Sequence, residues 1–158
     1  MRTFNTLSDL AGAVGEHLGH SDWIAVEQDM ITAFGEVTGD QQWIHSDPAR
    51  AASGPYGTTV AHGYLILSLL PVLTAQLYEV RGVSATINYG LDRVRFPSPV
   101  RVGSRIRVGA EIVSVEPGSG HATQAVVRMT VQVEGVDRPA CVADTVRRFV
   151  PDAGGANG

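Results

Sequence analysis

"GYLILSLLPVLTAQLY", Gly63 to Tyr78, decides the fold. Drawn as a helix, it is apolar on nearly every side rather than along one stripe. A helix apolar all round is a buried helix. It holds only about 15 residues and includes Pro71, too short for the ~20 that a bilayer span needs. What wraps it must therefore be protein.

The residues after it supply the wrapping. From Ser84 onward the period changes from helical to alternating. "ATINYG" and "DRVRFPSPV" are short strand-like pieces parted by a glycine. "SRIRVGAEIVSVE" alternates through Ile106, Val108, Ala110 and Ile112. "HATQAVVRMTVQVEG" puts Ala125, Val127, Met129, Val131 and Val133 on one face, opposite Gln124, Arg128, Thr130 and Gln132. "RPACVADTVRRFV" closes the series. Turn signals at Pro117-Gly118-Ser119-Gly120 and Gly135 to Asp137 join the last three as hairpins.

Ahead of the buried run the chain is helical. Ser8 is the expected N-cap of a short helix through Leu10, Val14 and Leu18, ending about Gly19. "DWIAVEQ" alternates briefly. A second helix, about Gln28 to Thr38, is expected to bury Ile31, Phe34 and Val37, and Gly39 stops it. Asp47 followed by Pro48 is the N-cap and first position of another short helix, "PARAA". This order implies an α+β fold in which a curved antiparallel sheet wraps a long central helix, the hot-dog fold. Such a sheet has an unpaired edge and gives the helix incomplete cover, so a homodimer is expected. Residues 1–150 form the expected single domain, and 151–158, "PDAGGANG", a flexible tail.

Composition narrows the chemistry. The 158 residues carry a formal net charge of −4, against a nucleic-acid partner, which needs a basic excess. All 12 cationic side chains are arginine, so lysine Schiff-base chemistry and the P-loop lysine are excluded. The single cysteine, Cys141, lies in an apolar alternating run and is read as a buried, inert thiol. The N-terminus lacks the continuous apolar core of a signal peptide. No membrane partner and a reducing, cytoplasmic setting follow as expectations.

The chemistry-bearing stretch is "FGEVTGDQQWIHSDPARAA", Phe34 to Ala52. On a continuous helix Asp40 and His45 would lie about 140° apart. The breaks at Gly39 and Pro48 allow a turn that brings both into one pocket, with Trp43 and Ile44 as its apolar wall. A carboxylate and an imidazole meeting there can do general acid–base chemistry, although an Asx-turn and a structural histidine are the alternative reading. Gly63 stands where the buried helix starts. It either lets a ligand oxygen approach free N–H groups or lets the helix pack tightly. His62 with His45 has no metal-ligand spacing and no third ligand in a convincing place, so no metal is expected. GxSxG and GxGxxG are absent.

The segment Phe34-x-x-Val37-Thr38-Gly39-Asp40-x-x-x-Ile44-His45, followed by Asp47-Pro48 and Ala51, resembles the signature of the MaoC-like dehydratases, or R-specific enoyl-CoA hydratases. Ala61-His62-Gly63 is similar to the family's AHG before its central helix. The stretch "VRFPSPVRVGSRIRV" from Val94 is similar to its strand–Pro–Val–Gly–strand passage. The likeness runs from about residue 20 to 150. It departs at Gln42-Trp43, where the family usually has Asn-Pro. The resemblance implies Asp40 and His45 as the catalytic pair and the Gly63 amide as the group that binds the thioester oxygen. It implies reversible syn hydration of trans-2-enoyl-CoA to (R)-3-hydroxyacyl-CoA in fatty-acid metabolism, with no metal or redox cofactor. The partner is then an acyl-CoA or acyl carrier protein thioester. Arg93, Arg95 and Arg101 cluster near the sheet start and are candidates to meet its phosphates, although a solvated sheet face is the favoured reading for any one of them. An acyl-CoA thioesterase on the same fold and a non-catalytic dehydratase subunit are the alternatives.

Overall fold

The computed structural model describes residues 1–152. Before the core helix run β1 (Arg2–Phe4), α1 (Leu7–Gly12), β2 (His17–His20), β3 (Ile24–Ala25), α2 (Gln28–Thr38), α3 (Trp43–Ser46) and α4 (Pro48–Ala51). The core helix comes in two pieces, α5 (Gly63–Ser68) and α6 (Leu70–Thr74). Then follow β4 (Tyr78–Val80), β5 (Val83–Arg95), β6 (Arg105–Pro117), β7 (Thr123–Val133) and β8 (Val136–Pro151).

The main sheet is antiparallel in the order β2-β6-β7-β8-β5, with β3 pairing further along β6. Alternation dictates which face it buries. Ile106, Val108, Ala110 and Ile112 of β6, and Ala125, Val127, Met129 and Val131 of β7, are all essentially inaccessible. Against that face lie Leu65, Ile66, Leu70 and Leu73 of the two helix pieces. Burying a side chain such as Ile66 or Leu73 contributes ~1.5–3 kcal/mol, so the helix–sheet contact is a large source of stability. This single domain is the hot-dog architecture.

Several expectations need correcting. The core helix breaks at Leu69 because Pro71 has no N–H to give the Leu67 carbonyl. Nor is it buried all round, since Tyr64 and Val72 are well exposed. The first helix is capped by Thr6, not Ser8. Thr6 Oγ1 accepts from the Asp9 N–H, and the Asp9 carboxylate accepts from the Thr6 N–H. That helix ends at Gly12, and Leu18 belongs to β2. In α2, Ile31 and Gly35 are buried whereas Val37 is 88% exposed.

β5 is one strand where two pieces were expected, with register shifts on both sides of Gly90. β1 and β4 form a small parallel pair that has no local pattern to announce it. Pro151 ends β8, and the Asp152 N–H donates to the Gly82 carbonyl, so these two residues of the expected tail belong to the sheet's end. Residues 153–158 lie outside the described region. No helix among the described residues is long and apolar enough to cross a membrane.

Candidate active site

The turn is built by its backbone. Gly39 takes the left-handed conformation (φ 76°) and ends α2, so Asp40 leaves the helix axis. Single-turn helix α3 follows, closed by the His45 N–H to the Gln42 carbonyl at 2.9 Å. Ser46 Oγ donates to the Gln41 and Gln42 carbonyls, so a hydroxyl helps close the turn. Asp47 caps α4 by accepting from the Arg50 N–H, with Pro48 at the first position, as expected. Trp43 is not a wall of the cleft. Its ring packs against Gly54 under the Arg50 guanidinium and braces the segment from outside.

His45 is buried and held at both ends. Its Nδ1 lies 2.6 Å from the Val60 carbonyl oxygen. A carbonyl only accepts, so Nδ1 carries the hydrogen and Nε2 holds the lone pair of the neutral ring. The Val60 N–H returns a bond to the Ile44 carbonyl at 3.0 Å. Gln28 Nε2 donates to the His45 carbonyl at 2.8 Å, while Gln28 Oε1 accepts from Thr59 Oγ1 at 2.6 Å. Gln28 therefore ties the Asp40–His45 turn to the strand-like segment before α5. Sequence reasoning missed it, and its only local mark is a polar residue at the start of α2.

Asp40 is exposed, and the structure brings its carboxylate to His45. Asp40, His45 and His62 each offer an atom within 4.8 Å of the other two. His62 is the third member that chain spacing did not reveal. It is 2% exposed, stacks on His45 with centroids 3.8 Å apart and planes at 25°, and approaches the Asp40 carbonyl through Nε2 at 2.9 Å. Imidazoles bind metals in the ring plane. Two rings lying nearly parallel hold their lone pairs side by side rather than converging, so the trio is a poor chelate in this arrangement.

Burial pushes the His45 pKa below its ordinary value, and His62 pushes the same way. The bond to Val60 and the Asp40 carboxylate act against them without reversing the shift. The net shift favours the neutral ring, the form whose Nε2 carries a lone pair.

A cleft of about 320 Å³ opens beside His45. Its lining includes Ile44, Tyr56, Gly63, Ile66, Phe96 and Ala140. His45 and Gly63 thus face one space. Gly63 begins α5, whose first N–H groups lack intrahelical partners. A Cβ on Gly63 would meet the Phe96 ring at 3.0 Å. Arg93, Arg95 and Arg101 are exposed, and Arg95 and Arg101 flank the Phe96–Val100 segment of the cleft wall. Cys141 is fully buried and its thiol is pushed up to about 11, consistent with an inert core residue.

Comparison with known proteins shows the family and the fold. A relative from Mycobacterium tuberculosis named 3-hydroxyacyl-thioester dehydratase Z is 53% identical over 150 residues, 95% of this chain and 99% of the other. Nodulation protein N of Rhizobium leguminosarum bv. viciae is 39% identical over 93% of this chain and 94% of its own length. Among solved structures, the fold matches a MaoC-like dehydratase from Rhodospirillum rubrum (TM-score 0.71, 18% identity, 89% of this chain and 94% of that one). It also matches an (R)-hydratase from A. caviae involved in PHA biosynthesis (TM-score 0.69, 23% identity, 87% and 96%). The family description "MaoC like domain" matches residues 9–136. The chain belongs to the MaoC-like dehydratase family.

Proposed function

We propose that this chain is a lyase, an R-specific enoyl-CoA hydratase that adds water reversibly to trans-2-enoyl-CoA to give (R)-3-hydroxyacyl-CoA. The observation that carries this reading is the His45 tautomer. With Nδ1–H given to Val60, Nε2 is the nitrogen left with a lone pair, and a His45 ring nitrogen lies within 4.8 Å of an Asp40 carboxylate oxygen, beside the cleft that Gly63 borders. The relative named 3-hydroxyacyl-thioester dehydratase Z, alike over nearly its whole length, supports the reaction class.

In the hydration direction a water is held between the Asp40 carboxylate and His45 Nε2. Its oxygen bonds to the β-carbon of the enoyl thioester while its proton passes to Nε2. The double-bond electrons move to the α-carbon and on to the thioester oxygen, giving an enolate. The first N–H of α5, at Gly63, donates to that oxygen. The enolate collapses as His45 returns a proton to the α-carbon on the same face, which gives syn addition and restores the neutral ring. Because the thioester acidifies the α-carbon, no metal or redox cofactor is required. Arg95 and Arg101 meet phosphates of the carrier at the cleft wall. The site of action is the cytoplasm.

The purified chain, given trans-2-enoyl-CoA substrates of increasing acyl length, is expected to deplete the enoyl thioester absorbance without releasing thiol, and chiral analysis of the product to give R. Thiol release would make it a thioesterase, and inactivity at every length would make it a non-catalytic subunit.

We also propose a homodimer. β5 pairs with β8 on one side and with no described strand on the other, and it exposes Ile87, Tyr89 and Leu91. Tyr64 and Val72 of the core helix are likewise uncovered. A second copy pairing along β5 covers both. Sedimentation at micromolar concentration is expected to give a dimer, and an active stable monomer would overturn this.

A further inference from the structure

We propose that His62 is a positioning residue that holds both members of the acid–base pair, pinning the Asp40 main chain through Nε2–H and fixing the plane of His45 by stacking. This rests on the hydratase reading only for what the pair does, since the clamp itself is geometry.

Three observations converge on it. Nε2 lies 2.9 Å from the Asp40 carbonyl oxygen, which can only accept, so the hydrogen sits on Nε2. The ring is sandwiched, stacked on His45 at 3.8 Å and tilted against Phe34 at 5.1 Å. Gly35 is the buried glycine of α2, and a Cβ there would stand 3.0 Å from the Asp40 carbonyl and 3.5 Å from His62 Cε1. The helix leaves room for that carbonyl to meet that ring.

His62 Nδ1 sharpens the argument. It is buried and has no hydrogen-bond partner in the described structure. A buried acceptor left unpaired costs stability, and a phenylalanine ring would fill the same sandwich without that cost. What the imidazole adds, and phenylalanine lacks, is the bond to Asp40. Asp40 needs it. The residue is exposed and follows a left-handed glycine, so little packing holds the direction of its carboxylate. The titratable groups facing His62 are His45 and Asp40.

The test uses the full chain. In the wild type, nitrogen NMR shifts are expected to report the Nε2–H tautomer of His62, and an Nδ1–H tautomer would overturn the proposal. His62→Phe keeps an aromatic stack and loses the donor, whereas His62→Gln places an amide N–H where Nε2–H stood. His62→Phe is expected to lower kcat by about 10- to 100-fold with KM for trans-2-enoyl-CoA within about twofold, the scale of a small misplacement of a reacting group. Its melting temperature should not fall, and His62→Gln should recover part of kcat. The carbonyl carbon shift of Asp40 should move in His62→Phe and return toward wild type in His62→Gln. Unchanged kcat and an unmoved Asp40 shift in His62→Phe would overturn the proposal. An inactive wild type whose Asp40 shift still responds would retain the clamp and overturn only the hydratase reading.

Discussion

Replacing Asp40 by Asn or His45 by Gln is expected to lower kcat by about 10² or more in each case, the range for a positioned acid or base. The two changes differ in their structural cost. Asp40 is exposed and its main chain makes the contact with His62, so Asp40→Asn removes charge with little effect on folding. His45 is buried and bonded to Val60, so Gln leaves that carbonyl poorly served and melts somewhat earlier. His45→Asn is the companion variant, because its amide N–H falls where Nδ1–H stands while Nε2 is gone. It should be as inactive as Gln and more stable. The pH profile gives a second check. The His45 pKa lies below its ordinary value of 6.5, so the neutral, proton-accepting ring persists as pH falls through that value. The acid limb of kcat/KM should therefore lie below pH 6.5 in the wild type. Turnover near wild type in Asp40→Asn or His45→Asn would remove the pair from the mechanism.

The parts of the fold legible in sequence are those whose physics is local. β6 and β7 alternate because one face meets the core helix, so Val108 and Val127 announce themselves by period alone. β5 does not, because it lies at the sheet edge with both faces exposed and with a register shift beside Gly90, and its halves look like separate pieces. The helical period of α2 suggested that Val37 faces the core, yet the buried position is Gly35. That choice is made by the Asp40 carbonyl and by His62, a residue 27 positions further along the chain.

The site divides the same way. Asp40 and His45 are five residues apart between a glycine stop and a proline start, so the turn that joins them is written locally. Gln28 reaches His45 across 17 residues and His62 reaches Asp40 across 22, and chain-distant pairings of this kind leave no spacing to read. His62 does carry one hint, as the polar residue standing directly before an apolar helix start.

The remaining large effect concerns Gly63→Ala, and the structure changes how it must be tested. If the Gly63 amide donates to the thioester oxygen, a methyl there obstructs that oxygen, and kcat/KM should fall by about 10²-fold or more, the scale of losing one oxyanion donor. Local propensity favours alanine in a helix, so destabilisation has to come from packing. The added Cβ would stand 3.0–3.1 Å from three atoms of the Phe96 ring. That ring is 41% exposed, so it can yield by a few tenths of an ångström, and the melting temperature should drop little. A displaced Phe96 could nevertheless disturb the cleft it lines and mimic the loss of a donor. The double variant Gly63→Ala/Phe96→Leu separates the two causes. Without the ring the methyl has room, so a loss transmitted through Phe96 should vanish relative to Phe96→Leu alone. A loss from the obstructed amide should persist at about 10²-fold, because the coupling between the two sites is then small. If instead Gly63→Ala lowers the melting temperature while the folded fraction turns over normally, Gly63 serves packing and the enolate oxygen is held by a different donor.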